Sequence, residues 1–169
     1  MDVVALRPEN ETALCEFLED FDAAGEDLIP AYFADRAWST EEVVARLAAW
    51  SRGEHLPQGW VPCTTSFLVD DGRLLGVVNL RHVLTDALRA CGGHVGFSVC
   101  PSARRQGHAR RLLEAAKRQA QELGIDQLLV TCDEENPASR RVIERCGGVY
   151  ADTVRGELTG PTQRFWIRL

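Results

Sequence analysis

Apolar residues recur along this chain with two different periods, and each change of period marks an element. Between residues 9 and 21 the set Ala13, Leu14, Phe17, Leu18 and Phe21 follows the i, i+3, i+4 spacing of an amphipathic helix. A second helix is predicted over residues 39–50, because Ser39 and Glu42 fit the S-x-x-E capping box and Val43, Leu47 and Trp50 share one face. An extended segment at residues 3–6 precedes both, and a loop through Gly25 and Pro30 separates them. Two prolines and two glycines then break the pattern between residues 53 and 62.

From residue 64 the reading changes to strands. Residues 64–69 and 73–80 are β-rich runs that meet around Asp70-Asp71-Gly72, which predicts an antiparallel hairpin. A short helical stretch over 85–90 ends at Gly92-Gly93, and residues 94–99 form a strand stopped by Pro101. Helical spacing returns over 107–123, with Ala109, Leu112, Leu113, Ala116, Ala120 and Leu123 on the apolar side and Gly124 as the C-terminal cap. Residues 127–132 are almost continuously apolar, as a strand covered on both faces should be. Asn136-Pro137 reads as an N-cap with proline at the first helical position, opening a helix to Arg145. Two more strands, 149–154 and 163–169, follow Gly147-Gly148. This order predicts an α/β fold, a mixed and mostly antiparallel sheet of about six to seven strands with helices on both faces.

With 169 residues, 45% of them hydrophobic and 26% charged, the chain is expected to form one domain over 1–169. It has no membrane-length apolar run and no basic-then-apolar leader, so a cytoplasmic protein without membrane partners is expected. The six cysteines contain no C-x-x-C pair, which predicts buried thiols and no metal site. The net charge of −6 argues against nucleic acid as a partner. That charge is uneven. Residues 1–50 hold twelve acids against three bases, leaving +3 for the rest, where Arg104, Arg105, Arg110 and Arg111 crowd together. An acidic front half and a basic centre predict two different ligands.

The basic cluster lies in Val99-Cys100-Pro101-Ser102-Ala103-Arg104-Arg105-Gln106-Gly107-His108-Ala109, a strand end running through a turn into a long helix. The first turn of a helix leaves N–H groups without partners and carries partial positive charge, so this is an anion site suited to phosphate. The glycine pattern is neither a Rossmann fingerprint nor a P-loop. It matches Q/R-x-x-G-x-G/A, with Arg104, Gly107 and Ala109 in the defining places.

Here, and in the apolar strand ending Thr131-Cys132-Asp133 and the Asn136-Pro-Ala-Ser139 helix that follows, the chain resembles the GNAT superfamily of acetyl-CoA-dependent N-acetyltransferases. The resemblance spans roughly residues 64–169, and Asn79-Leu80-Arg81-His82, Gly92-Gly93-His94-Val95-Gly96 and Arg164-Phe165-Trp166-Ile167 bring it closest to a group of predicted acetyltransferases. It implies a V-shaped opening between the strands at 94–99 and 127–132. Acetyl-CoA would enter there, its pantetheine arm on the backbone of Phe97, Ser98 and Val99 and its pyrophosphate on Arg104, Arg105, Gln106, Gly107, His108 and Ala109. Asn136 and Ser139 would touch the far side of the cofactor. Asn136 is equally suited to capping alone, and the Arg110-Arg111 pair to a solvated helix face.

Transfer to an amine needs a proton acceptor. Where relatives carry an acid, this chain has His94, which is either the base, titrating near an ordinary pKa of about 6.5, or a strand histidine that packs. Asp133, Glu134 and His82 are weaker candidates. The tyrosine that relatives place seven residues beyond the asparagine is here Ile143, and Cys100 and Cys132 need not be nucleophiles. The implied function is acetyl transfer from acetyl-CoA to a primary amine by direct attack in a ternary complex. The alternative is an acyl-CoA-binding interaction module with little turnover. A small-molecule or peptide amine is the expected acceptor, cationic in view of the acidic front half, and the protein is expected to be a monomer or homodimer.

Overall fold

The computed structural model describes residues 1–27, 38–155 and 160–169. Among these, seven strands form one sheet in the order β1-β2-β3-β4-β5-β7-β6. The strands are β1 (Asp2–Val4), β2 (Cys63–Asp70), β3 (Arg73–Arg81), β4 (Val95–Val99), β5 (Gln127–Asp133), β6 (Val149–Arg155) and β7 (Pro161–Arg168). The helices are α1 (Glu11–Ala24), α2 (Thr40–Ser51), α3 (Asp86–Ala90), α4 (His108–Glu122) and α5 (Pro137–Arg145). This is the mixed α/β architecture that the periodicity predicts. Every neighbouring pair is antiparallel except β4 and β5.

Local signals set the helix ends. Ser39 accepts from the Glu42 amide at 3.3 Å while Glu42 accepts from the Ser39 amide at 2.8 Å, so the predicted capping box closes α2 at its start. The first strand is shorter than expected, because Leu6 turns into the core and Pro8 opens a 3-10 turn. The expected loop through Pro30 runs into residues 28–37, outside the described residues.

Helices cover both faces. Phe17 of α1 meets Phe67 of β2 edge-on at 5.9 Å, which puts α1 on one face, called here the front. On the back, Gln119 of α4 donates to Ser66 at 2.9 Å. The Leu112 side chain lies 2.8 Å from where a Cβ on Gly76 would stand. Buried Leu112, Leu113, Ala116 and Ala120 form the apolar stripe of α4, and truncating one such leucine to alanine costs about 2–5 kcal/mol. Among the described residues no helix is long and apolar enough to cross a membrane.

Candidate active site

The parallel pair at the centre of the sheet is joined at one end only. β4 and β5 share a single register position, Val95 with Val130, and beyond it Phe97, Ser98 and Val99 are paired with β3 but not with β5. A V therefore opens towards Val99 and Asp133, the expected opening. The α4 turn follows one arm of the V and α5 follows the other.

At the closed end hydrogen bonds are dense. The His94 amide donates to the Leu129 carbonyl at 2.7 Å, and the Leu129 amide donates to His94 Nδ1 at 2.9 Å. The Gly92 amide donates to Thr131 Oγ1 at 3.2 Å, and Arg81 Nη1 reaches the Gly92 and Gly93 carbonyls at 3.0 and 3.1 Å. Gly93 is required here, since a Cβ would stand 2.4 Å from the Leu129 carbonyl oxygen and φ is +60°.

This arrangement bears directly on His94. The ring is 8% exposed, and burial, followed by the positive charge of Arg89, lowers its pKa to about 4. The sequence leaves the direction of any shift from 6.5 open, and here burial and the neighbouring positive charge both disfavour the charged ring. At neutral pH the proton sits on Nε2, and the one free lone pair, on Nδ1, is engaged with Leu129.

The open end is built differently. Arg105 and Gly107 both have positive φ, +64° and +83°. Gly107 is the N-cap residue of α4, yet no side chain caps the helix. A Cβ on Gly107 would meet nothing within 4 Å, so the space beside the turn is open. The amides from Arg105 to Ala109 donate to no described backbone carbonyl outside the helix, leaving a cradle suited to a diphosphate. His108 differs from its neighbours in the turn: its side chain is 4% exposed, and Nδ1 has no partner among the described residues.

Arg104 is already occupied. It donates to both carboxylate oxygens of Glu26, at 2.8 and 2.5 Å, and through Nε to the Val99 carbonyl at 3.2 Å. The neighbouring Ser102 donates through its amide and hydroxyl to Asp20, at 3.2 and 2.9 Å. Two acids of the front half thus hold the turn, contacts that sequence spacing cannot reveal across some eighty residues. Glu26 is correspondingly kept below the usual carboxylate range by the Arg104 hydrogen bonds.

Across the opening, Asn136 accepts from the Ser139 amide at 3.0 Å and so caps α5. Asp133 is exposed at the end of β5. Ile143 is fully buried, and Tyr150 lies on edge strand β6 with its hydroxyl 2.9 Å from Thr153. His82 is 2.8 Å from the Thr64 hydroxyl, and burial lowers its pKa. The Cys100 thiol is pushed up to about 12, first by burial and then by Asp20, and burial also raises that of Cys132. Both remain protonated at neutral pH, and thiolate is the nucleophilic form. Among the described residues no three metal-binding side chains gather.

The acetyltransferase (GNAT) domain profile matches residues 4–149, and the chain belongs to this family. Solved structures share its fold. The yncA acetyltransferase of Salmonella typhimurium, solved with its cofactor acetyl-CoA, is 18% identical with a TM-score of 0.65, the match covering 99% of this chain and 93% of that one. RimL, a ribosomal L7/L12 α-N-protein acetyltransferase in complex with coenzyme A, is 15% identical with a TM-score of 0.70 over 99% and 93% of the two chains. A chimera of the Vibrio cholerae spermidine N-acetyltransferase SpeG and hSSAT is 15% identical with a TM-score of 0.62 over 99% and 94%. A search of curated proteins found no match.

Proposed function

We propose that the chain is an N-acetyltransferase that moves the acetyl group of acetyl-CoA to a primary amine by direct attack while both substrates are held. The observation that carries this reading is the uncapped N-terminus of α4 at the mouth of the V. The amides of Arg105, Gln106, Gly107, His108 and Ala109 receive the diphosphate, with Arg105 and Arg104 adding charge. The edge of Phe97, Ser98 and Val99 receives the pantetheine arm, and Asn136 and Ser139 flank it from the other side. Acetyl-CoA supplies an activated thioester carbonyl, and the chain supplies alignment with the amine.

Protonated thiols at Cys100 and Cys132 support direct attack over an acyl-enzyme. His94 acts as a positioning residue, holding the vertex of the V through Leu129. Proton removal from the amine falls to Asp133, acting through water, and solvent protonates the departing thiolate because Ile143 offers no proton. The acceptor is a cationic amine, as in a polyamine or a basic peptide N-terminus, drawn by those acids of α1 not committed to the turn.

Free thiol release from acetyl-CoA, measured across a panel of amines, tests this. Release with cationic amines is expected, together with a rise in Tm on adding acetyl-CoA. Turnover of neutral or anionic acceptors alone overturns the cationic reading. Binding without thiol release from any amine would instead favour the interaction module that the buried Ile143 suggests.

A further inference from the structure

Charge on the front of the sheet is divided along its length. Phe67 faces α1, and the register carries that face through Val77 to Ser98, so Val95 and its partner Val130 face the back and Thr131 faces the front. Level with Thr131 on the same face are Arg164 and Asp152. At the closed end of the V, α3 lies against this front, because the Gly92 amide donates to Thr131 Oγ1 and Arg164 Nη1 donates to the Arg89 carbonyl at 2.9 Å. Three arginines therefore gather there, from β3, α3 and β7. Two of them are committed, Arg81 to the Gly92 and Gly93 carbonyls and Arg164 to Asp152.

Arg89 differs from both. It is exposed, and among the described residues its guanidinium meets no carboxylate, not even that of Asp86 three residues earlier on α3. Its charge nevertheless reaches the vertex, where it helps to keep His94 neutral. An uncommitted guanidinium attracts an anion, and a carboxylate matches its planar fork with two parallel hydrogen bonds.

Asp133 lies two residues beyond Thr131 on the same face, about 7 Å further along β5 and towards the open end. The front thus offers a carboxylate at one end and a guanidinium at the other. A ligand with the complementary order has an amine at one end and a carboxylate at the other, and an extended basic amino acid separates the two by a comparable length. We propose that the amine acceptor also carries a carboxylate, as a basic amino acid does, and that Arg89 binds it. The assignment rests on the proposed function for the reaction, and on the three arginines for the specificity. Two ammonium groups against one carboxylate keep such an acceptor cationic.

Thiol release from acetyl-CoA with lysine, lysine amide and cadaverine, in wild type and in Arg89→Ala, tests it. The carboxylate of the first is a neutral amide in the second and missing from the third. Wild type is expected to favour lysine at least about tenfold in kcat/KM, through a lower KM, the order of one charge-assisted contact. In Arg89→Ala the KM for lysine should rise to that for lysine amide, with Tm and acetyl-CoA affinity showing that the fold and the cofactor seat survive. Arg89→Lys should recover part of the preference. Equal kcat/KM for the three amines in wild type, or a preference for lysine that persists in Arg89→Ala, overturns the assignment and leaves the proposed function standing. Release only with amines that carry no carboxylate overturns it in the same way. Release with no amine at all removes the proposed function, and the assignment falls with it.

Discussion

The closed and open ends of the β4–β5 pair treat the same backbone groups in opposite ways. At the closed end Gly92, His94 and Leu129 place their amides on acceptors within 3.2 Å, and Arg81 takes up the Gly92 and Gly93 carbonyls. At the open end the two strands part, and the two helices that follow them differ again: α5 is capped by Asn136, whereas α4 starts from Gly107 without a cap. Leaving buried or half-buried donors unpaired is unfavourable, so they are satisfied wherever structure alone decides. The open start of α4 beside a positively charged turn is what supports the proposed ligand seat there. Satisfied groups hold the V, and the unsatisfied ones are those that the proposed function assigns to the cofactor.

The sharpest way to break the closed end is Gly93→Ala. The added Cβ would stand 2.4 Å from the Leu129 carbonyl in a left-handed conformation. A loss of about 3 kcal/mol in unfolding free energy is expected by denaturant titration.

His94 tests the same end by pH. Its folded pKa lies near 4, below the unfolded value of about 6.5, so the unfolded chain binds the extra proton first. The stability His94 contributes is therefore complete above about pH 6.5 and is lost as the pH falls towards 4, by up to about 3 kcal/mol. His94→Gln, which can still accept from Leu129 but cannot titrate, should flatten that part of the stability curve. It should also keep kcat/KM near wild type at pH 7.5. A fall of about a hundredfold or more there, with acetyl-CoA affinity intact, would return His94 to the role of base.

At the open end the expected losses move from stability to binding. Gly107→Glu places a carboxylate in the cradle, where a side chain finds free space. Acetyl-CoA affinity should drop about a hundredfold, while the apo protein loses only about 1–2 kcal/mol for the left-handed backbone. Asn136→Ala is its counterpart on α5. Loss of the cap should lower stability by about 1 kcal/mol, and any accompanying rise in KM for acetyl-CoA measures how far Asn136 also touches the cofactor.

The smallest effect belongs to Glu26→Gln. Removing this exposed charge from Arg104 should tighten acetyl-CoA binding about threefold at low salt, the size of one charge acting across a few Å of water. The gain should fade at 0.5 M salt. Weaker binding instead would mean that Glu26 serves to hold Arg104 in place for the ligand.

Elements and the basic turn that opens α4 were legible because their causes are local. Helical spacing over residues 107–123, the Ser39–Glu42 box, the Asp71-Gly72 hairpin and the Asn136-Pro137 start all act within a few residues, and each element formed where its signal stood. The catalytic reading was less legible, because a histidine's chemistry depends on what surrounds it. The sequence placed His94 at the head of β4, but only the folded chain brings Leu129 to Nδ1 and Arg89 and Arg81 close enough to keep the ring neutral.

The same division holds for charge. Twelve acids in the first fifty residues could be counted from the sequence, and their excess over bases was visible there. That Asp20 and Glu26 are spent on Ser102 and Arg104, while Arg110, Arg111 and Arg118 line one groove, was decided by tertiary structure alone. Periodicity and capping report interactions between residues close in the chain. Pairing across some eighty residues depends on which surfaces the packed core brings together, and on the distances at which charges then meet.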